Sequence, residues 1–399
     1  MPEQAIRAAL GAVLPSVRDD LERLVRIPSV SADPDASTHL DTCASQVAGM
    51  FRAVGIPDAR VVRAGSGLPA VLGGRPGPPG APTVLLYAHH DVQPAGDRQA
   101  WTSEPFEPSE RDGRLFGRGA ADDKAGIAVH LAALRAFNDV LPVGVVVLVE
   151  GEEEIGSPTL PALLDAYRDE LRCDVVLLPD STNWTVDVPA LTTSLRGGAN
   201  VVVEVRTLRH AVHSGVYGGA VPDALTALCR LLATLHDSAG NVAVDGLVRA
   251  AGAAPDLKEQ RLRDEAGVLD GVELIGSGAL TDRLWMRPAI DVIGIDAPSV
   301  RDAANALIPV ARAKLSMRIA PGDDPGSARR ALATHLRKHA PWGAQVTIEP
   351  GGGVAPYTAR ADGPAFAAAR TAFHRAWGTP AVDIGVGGSI SFVTTLLAR

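Results

Sequence analysis

The stretch TVLLYAHHD, residues 83–91, decides the fold class, because an apolar, strand-like run ends in two histidines and an aspartate. Three further runs end in acidic residues in the same way: RLFGRGAADDK (114–124), VVVLVEGEEE (145–154) and VVLLPD (175–180). In an open α/β sheet, ligands bind outside the carboxyl ends of the strands, so we expect these ends to converge on one crevice. An imidazole and several carboxylates in one place bind a divalent metal. The pattern predicts a metal-dependent hydrolase.

Helical segments separate these runs, which predicts an α/β domain with a mixed, largely parallel sheet covered on both faces. After residue 195 the rhythm changes to β-α-β-β-α-β, the order of a ferredoxin-like α+β domain. The six segments are 199–205, 222–235, 289–295, 311–319, 326–340 and 344–350. We therefore predict a catalytic domain over 1–195 and 354–399, interrupted by a separate domain over 196–353.

The composition limits the classes of function. The net charge of −8 argues against a nucleic-acid partner and against a basic membrane anchor. No apolar stretch approaches the roughly 20 residues of a membrane span, and the N-terminus lacks the pattern of a signal peptide. Three scattered cysteines match no zinc or redox spacing, so we expect reduced, mostly buried thiols in a cytoplasmic protein.

The first two strand ends offer candidate metal ligands. His89 and Asp91 lie on the same face of an extended chain, so His89 can bind a metal while Asp91 orients its imidazole. The alternative is a polar strand end with ordinary histidines. Asp122 and Asp123 begin a helix, where an aspartate is most often an N-cap. Two adjacent acids at one turn are easier to explain when a cation neutralises one of them.

The other two strand ends are acidic. A run such as Glu152, Glu153 and Glu154 is usually a solvated loop, but here it follows a strand too apolar for a sheet edge. Adjacent glutamates can divide the work, one binding a metal and one acting as general base to water. Asp180 could equally be a simple turn residue. Each signal is weak or moderate alone, and together they are strong.

These residues sit in motifs that resemble the dizinc metallopeptidases, which include carnosinases, aminoacylases and glutamate carboxypeptidases. The motifs are YAHHDVQPA, a W-x-x-x-P-F segment, DGRLFGRGAADDKAG, EGEEEIGS and HSGVYGG. The first and third are most similar to the dipeptidase, carnosinase-like branch. The resemblance implies a catalytic α/β domain interrupted by a ferredoxin-like lid that also dimerises.

Carried over by position, the resemblance implies two zinc ions per subunit, with cobalt or manganese as possible substitutes. Their ligands would be His89, Asp122 as the bridging carboxylate, Glu154 and Asp180. Glu153 would be the general base acting on the shared water. The resemblance also implies a cis peptide bond after Asp122.

The resemblance assigns the lid to substrate binding. His213 would reach across a homodimer to stabilise the oxyanion, Asn305 would hold the substrate, and Arg318 would pair with its C-terminal carboxylate. From the sequence alone, Asn305 is a turn residue and Arg318 a surface arginine on a strand. Backbone donors would come from the loop Gly387, Gly388 and Ser389.

The sequence departs from the family pattern in its last residues. Gly385 stands where an arginine is usual, and Ser391 stands where a proline is usual. The resemblance also implies a histidine ligand to the second metal, at a position beyond Arg399. The last histidine of the sequence is His374, so we expect that metal to lack its imidazole and residues 390–397 to have little to pack against.

Three hypotheses follow. The chain is a metallopeptidase that cleaves the amide bond of dipeptides or related short peptides, or a deacylase of N-acyl-amino acids. Alternatively it is an inactive or strongly impaired, truncated homologue. A peptide-binding or structural protein does not explain why the acidic and histidine strand ends fall in order.

Overall fold

The computed structural model describes residues 3–138, 140–252 and 254–397. The chain divides into two compact units: Met1–Thr182 with Ile390–Arg399, and Asn183–Ser389. These boundaries differ from the division proposed from the sequence. Residues 190–195, 357–358 and 382–386, which were expected in the catalytic domain, form a three-stranded sheet that clusters with the second unit. The assignment of that sheet to a catalytic domain stays a prediction.

The first unit alternates helices and strands. Its helices are α1 (Glu3–Val25), α2 (Ser37–Ala53), α3 (Lys124–Phe137) and α4 (Leu160–Ala166), and its last helix is α10 (Ser391–Leu397). Its strands are β1 (Arg60–Val62), β2 (Ala70–Arg75), β3 (Thr83–His89), β4 (Ser109–Arg111), β5 (Arg114–Phe116), β6 (Gly144–Glu150) and β7 (Val175–Leu177).

Five of these strands form one mixed sheet in the order β1-β2-β6-β3-β7. Strand β3 pairs in parallel with both β6 and β7, whereas β1-β2 and β2-β6 are antiparallel. All seven residues of β6 are buried, as expected for a central strand whose sequence is continuously apolar. A buried core that includes Leu24, Phe51, Ile127 and Val147 joins the sheet to the helices.

The described residues of the second unit form a four-stranded sheet, a three-stranded sheet and a two-stranded pair. Its strands are β8 (Ala190–Leu195), β9 (Gly197–Arg206), β10 (Val212–His213), β11 (Ala289–Asp296), β12 (Ala306–Leu307), β13 (Val310–Ile319), β14 (Gln345–Val354), β15 (Tyr357–Thr358) and β16 (Val382–Val386). Its helices are α5 (Ser214–Tyr217), α6 (Ala224–Ala233), α7 (Glu259–Ala266), α8 (Pro325–Lys338) and α9 (Pro364–Trp377).

The larger sheet of the second unit has the order β11-β13-β9-β14 and is antiparallel throughout. With α6 and α8 it confirms the ferredoxin-like order predicted from the sequence. Residues of β9 alternate between buried and half-buried, and their buried side chains share a core with α6 and α8. The three-stranded sheet has the order β15-β8-β16, with β16 parallel to β8, and the two-stranded pair is β10-β12.

Two expectations are wrong. Residues 391–397 form α10, and the Phe392 ring is 1% exposed and stacks on Tyr87 with ring centroids 3.9 Å apart. The apolar end of the sequence therefore has a packing partner within the first unit.

Of the three thiols, Cys43 is buried, Cys173 is half-buried and Cys229 is exposed. Cys229 follows the buried Leu228 on α6, so it lies off the helix face that packs on the sheet. None of the described helices is long and apolar enough to cross a membrane.

Candidate metal centre

The metal-ligand candidates of the first unit meet at one edge of its sheet. His89 is the last residue of β3, and the carboxyl ends of β6 and β7 lie at the same edge because both strands run parallel to β3. Glu153 and Glu154 follow β6 in a 3-10 turn, Glu153–Ile155. Asp180 lies shortly after β7, and Asp122 precedes α3.

The distances show a compact cluster. His89 Nε2 is 3.1 Å from Asp122 Oδ1 and 3.9 Å from Asp180 Oδ2. His89, Asp122 and Glu154 each offer one ligand atom, and these atoms lie within 4.8 Å of one another. The structure therefore brings together a histidine and three carboxylates from four segments of the sequence.

The hydrogen bonds of His89 test whether this cluster fits a cation. Its Nδ1 lies 3.0 Å from the backbone carbonyl of Asp91, which can only accept, so Nδ1 carries a proton. If the imidazole is neutral, Nε2 then has no proton and carries a lone pair that faces the Asp122 carboxylate. Two acceptors at this distance need a proton or a metal ion between them. Imidazole and carboxylate oxygens are the donor set of zinc, cobalt and manganese.

The ionisation of the cluster leads to the same conclusion. Burial opposes protonation of His89, but hydrogen bonding to Asp122 and the nearby Asp91 and Asp180 carboxylates raise its pKa well above the ordinary value. Burial raises the pKa of Asp180 and Glu154, and the Asp122 charge adds to both effects. Buried carboxylates that repel one another are stabilised by a cation, as in metal sites generally.

Asp91 stabilises the backbone that carries two of the glutamates of the cluster. Its buried carboxylate accepts the backbone N–H of Glu153 at 3.2 Å on Oδ1 and that of Glu154 at 3.1 Å on Oδ2. Oδ1 also lies 3.5 Å from His89 Nδ1, so the shorter contact of the imidazole is to the Asp91 carbonyl. Asp91 thus fixes the backbone of the glutamate turn as well as the histidine.

The three adjacent glutamates have different surroundings. The buried Glu152 carboxylate accepts the N–H of Leu68 at 2.7 Å and both the N–H and hydroxyl of Thr159, at 3.0 and 2.7 Å. Glu152 is therefore a structural carboxylate, a role that the sequence did not indicate. Burial raises the pKa of Glu153 to about 8, and the Asp180 and Glu150 carboxylates add to the increase.

The two adjacent aspartates also differ. Asp123 is buried, caps α3 by accepting the N–H of Gly126 at 3.1 Å, and accepts the N–H of His89 at 3.3 Å. Asp122 faces His89, and its side chain is 63% exposed. The peptide bond between them is cis, as the resemblance implied. The helix-cap interpretation is therefore correct for Asp123, while Asp122 remains available as a ligand.

The sequence reasoning missed two further residues at this edge. Gln93 donates its side-chain amide to the Glu154 carboxylate at 2.8 Å and to the Glu154 carbonyl at 3.0 Å. Its place in the YAHHDVQPA motif was the available signal. Lys124 is buried and donates to the carbonyls of Leu24 and Ile27, both at 2.8 Å. No sequence pattern indicated that this lysine holds the end of α1.

The predicted substrate residues lie in the second unit. His213 is exposed and its Nδ1 accepts the N–H of Gly215 at 3.1 Å. The carbonyl of Asn305 accepts the N–H of Ser214 at 3.0 Å, so the structure places His213 and Asn305 in adjacent segments. Arg318 lies on β13, directly opposite Gly198 of β9.

Arg318 and the Gly387–Ser389 loop both lie beside Gly198. A Cβ built at Gly198 would lie 3.8 Å from Arg318 Nη1 and 4.0 Å from Ser389 Oγ. Gly388 is half-buried between its neighbours. The Gly387 carbonyl accepts a hydrogen bond from the side chain of Arg196 at 3.1 Å. Arg196 is a further residue that the sequence reasoning missed.

Comparison with known proteins identifies the family. The model of peptidase family M20/M25/M40 matches residues 85–396, a range that contains every ligand candidate. The chain belongs to this family. Metallopeptidases of the family hold a dinuclear metal, and the candidate centre described above lies in this chain at the carboxyl edge of the first sheet.

Three relatives illustrate the similarity. The cysteinylglycine-S-conjugate dipeptidase of Corynebacterium striatum is 39% identical over 79% of this chain and 71% of that protein. The β-Ala-His dipeptidase of Rattus norvegicus is 30% identical over 78% of this chain and 67% of that protein. The crystal structure of human carnosine dipeptidase 1 superposes with a TM-score of 0.83, 25% identity, and coverage of 99% of this chain and 89% of that chain.

Proposed function

We propose that this M20-family hydrolase is a metallodipeptidase that cleaves the amide bond of dipeptides or related short peptides. The observation that carries the proposal is the contact between His89 Nε2 and the Asp122 carboxylate, 3.1 Å apart, beside two further carboxylates. The dipeptidase names of the relatives support the choice of substrate class.

His89, Asp122, Glu154 and Asp180 are the residues that would hold the metal, zinc by preference and cobalt or manganese as substitutes. Two ions per subunit are proposed from the family, with Asp122 as the shared ligand. Divalent ions bound there supply Lewis-acid polarisation of the scissile carbonyl and lower the pKa of water. Asp91 and Gln93 hold the glutamate turn in place for them.

Glu153 is the proposed general base. It takes a proton from the attacking water and delivers it to the leaving amine, the usual pair of tasks for one carboxylate in amide hydrolysis. The half-buried position of Glu153 at the cluster supports this role, because partial burial raises the pKa of its side chain to about 8. A group with such a pKa can both accept and return a proton.

The second unit supplies the proposed substrate contacts. Arg318 pairs with the substrate carboxylate, Ser389 and the backbone of Gly387 and Gly388 donate to the substrate, and Asn305 positions it. His213 stabilises the oxyanion from the other subunit of a homodimer. The half-buried Arg318 and the nearby Ser389 hydroxyl support a polar, anion-binding pocket.

A homodimer is supported by β11, which lies at one end of the four-stranded sheet. Its outward side chains include Ile293, which is 55% exposed, and Ile295, which is also exposed. An exposed apolar edge strand pairs readily with another copy of itself. Sedimentation analysis should give a dimer for the wild type and a monomer for Ile293→Lys. A wild-type monomer would contradict the proposal. A cytoplasmic location stays a prediction.

The experiment that tests the proposed function is a substrate panel. Cysteinyl-glycine, β-alanyl-histidine, other dipeptides and N-acetyl-amino acids are incubated with the zinc-, cobalt- or manganese-loaded protein, with a chelator as control. We expect chelator-sensitive hydrolysis of at least one dipeptide at an ordinary rate of about 1–1,000 per second. Faster cleavage of N-acetyl-amino acids would make the protein a deacylase, and no hydrolysis of any substrate would refute the proposal.

A further inference from the structure

Arg196 joins three separate segments of the second unit. It lies between β8 and β9 and is 8% exposed. Its Nε donates to the carbonyl of Gly387 at 3.1 Å, and its Nη1 donates to the carbonyls of Arg283 and Arg287 at 3.4 and 3.2 Å. One guanidinium therefore holds the Gly387–Ser389 loop and the 283–287 segment to the same strand junction.

Among the described residues, no carboxylate is bonded to the Arg196 guanidinium. All of its side-chain hydrogen-bond partners in the described part of the chain are backbone carbonyls. Burial, together with the nearby Arg318, lowers the pKa of Arg196 to about 10, and Asp291 offsets this only in part. A buried arginine held near a half-buried one favours binding of an anion.

The 283–287 segment packs tightly against β16, the strand that precedes the Gly387–Ser389 loop. A Cβ at the buried Gly385 would lie 2.6 Å from the Cβ and 2.9 Å from the Cγ of Trp285. A Cβ at Gly387 would lie 2.8 Å from Arg196 Nη2 and 2.9 Å from the Leu284 carbonyl. Only glycine allows these approaches, so the backbone of the loop, the Trp285 indole and the Arg196 guanidinium form one packed layer.

We propose that Arg196 is a positioning residue for recognition of the substrate's C-terminal carboxylate. It holds the Gly387–Ser389 loop in place, with Ser389 and Arg318 both next to Gly198, and contributes a second positive charge to the pocket. Trp285, packed on Gly385, keeps the 283–287 segment in place. This inference rests on the proposed dipeptidase function and adds a residue to its substrate site.

The test uses a dipeptide and the same dipeptide with its C-terminal carboxylate converted to an amide. Both substrates are assayed with the metal-loaded wild type, Arg196→Lys and Arg249→Lys. Lysine keeps the charge but cannot span three carbonyls as the planar guanidinium does. Arg249 is the matched control, because it also donates to three backbone carbonyls, those of Leu247, Val242 and Val244.

For Arg196→Lys we expect KM for the dipeptide to rise about tenfold or more, the size expected when charge-assisted bonds are weakened. KM for the amide and kcat should stay within about twofold, and Arg249→Lys should behave as the wild type. Equal effects on both substrates would leave Arg196 a merely structural residue and overturn the inference. No preference of the wild type for the carboxylate would also overturn it.

Calorimetric binding of the dipeptide and its amide provides a readout that does not depend on turnover. A wild type that binds the dipeptide more tightly than the amide but hydrolyses neither would refute the proposed function and leave the inference standing. If Arg196→Lys does not fold, Gly387→Ala tests the same contact, because its methyl group would push Arg196 and the loop apart. We expect the preference for the carboxylate to be lost there too, and an unchanged preference would overturn the inference.

Discussion

Replacing Asp91 with asparagine should weaken both the metal centre and the fold around it. The two carboxylate oxygens of Asp91 accept one backbone N–H each, from Glu153 and Glu154. Asparagine has one acceptor oxygen and one NH₂ group. In either orientation of the amide, one of these two partly buried N–H groups therefore faces another donor.

The magnitude follows from these two contacts. One backbone donor loses its hydrogen bond to a charged group and is left unsatisfied, which costs about 1–3 kcal/mol. We expect the free energy of unfolding of the metal-free protein to fall by about 1–3 kcal/mol. Zinc affinity should fall by about 10–100-fold, the usual effect of removing a partner behind a metal ligand.

Urea unfolding of metal-free protein and competition with a chromophoric zinc chelator measure the two effects. Asp237→Asn is the control, because the exposed Asp237 accepts two backbone N–H groups on the same oxygen, which asparagine retains. The variant loses only the solvent-exposed bond from the Asn241 side-chain amide to the other oxygen. It should change the unfolding free energy by less than about 0.5 kcal/mol. An Asp91→Asn variant with wild-type stability and zinc affinity would refute the role assigned to Asp91.

Three further predictions concern the first unit. Glu153→Gln should lower kcat by about 10²–10⁴-fold while metal content stays the same, because the amide cannot accept the water proton; simultaneous loss of metal, measured by plasma mass spectrometry, would make Glu153 a ligand instead. Burial lowers the pKa of His130 to about 4, so the unfolded chain binds a proton that the folded chain excludes as pH falls from 6.5 to 4. The protein should lose about 3 kcal/mol of stability from this group over that range, and His130→Leu should unfold with a correspondingly smaller pH dependence; an unchanged dependence would contradict the assignment. Phe392→Ala should cost about 3–5 kcal/mol, because the ring is buried and stacked on Tyr87. The same change at the exposed Phe116 should cost about 1 kcal/mol or less, and equal costs in urea unfolding would show that Phe392 is not part of the core.

The sequence predicted the elements whose signal is local. The period of the apolar residues and the order of the segments were sufficient for the β-α-β-β-α-β arrangement and for the strands β3 and β6. Convergence of His89, Glu154 and Asp180 followed from a general property of parallel strands, whose carboxyl ends share an edge. The expectation was wrong for the strand before Asp122, because β5 pairs with β4 in a separate antiparallel sheet and Asp122 is placed by the turn into α3. These predictions needed no knowledge of which side chains touch.

The sequence could not divide the work among adjacent identical residues. Glu152 is structural because the backbone N–H groups of Leu68 and Thr159 donate to its carboxylate from other segments. Asp123 caps α3 because its carboxylate accepts the N–H of Gly126. Arg196 gave no signal, since its partners are backbone carbonyls far along the chain. The packing of Phe392 on Tyr87 is likewise a tertiary contact, and it reversed the expectation for residues 390–397.

The most direct test of the metal centre is the metal content of the purified, dialysed protein by plasma mass spectrometry. The arrangement of His89, Asp122, Glu154 and Asp180 predicts at least about one equivalent of zinc, cobalt or manganese per chain, since sites of this kind retain their metal. Two equivalents would match the dinuclear centre of the family. Clearly less than about one equivalent per chain, even after incubation with zinc, would contradict the account, because the carboxylate and imidazole cluster would then have no cation to hold.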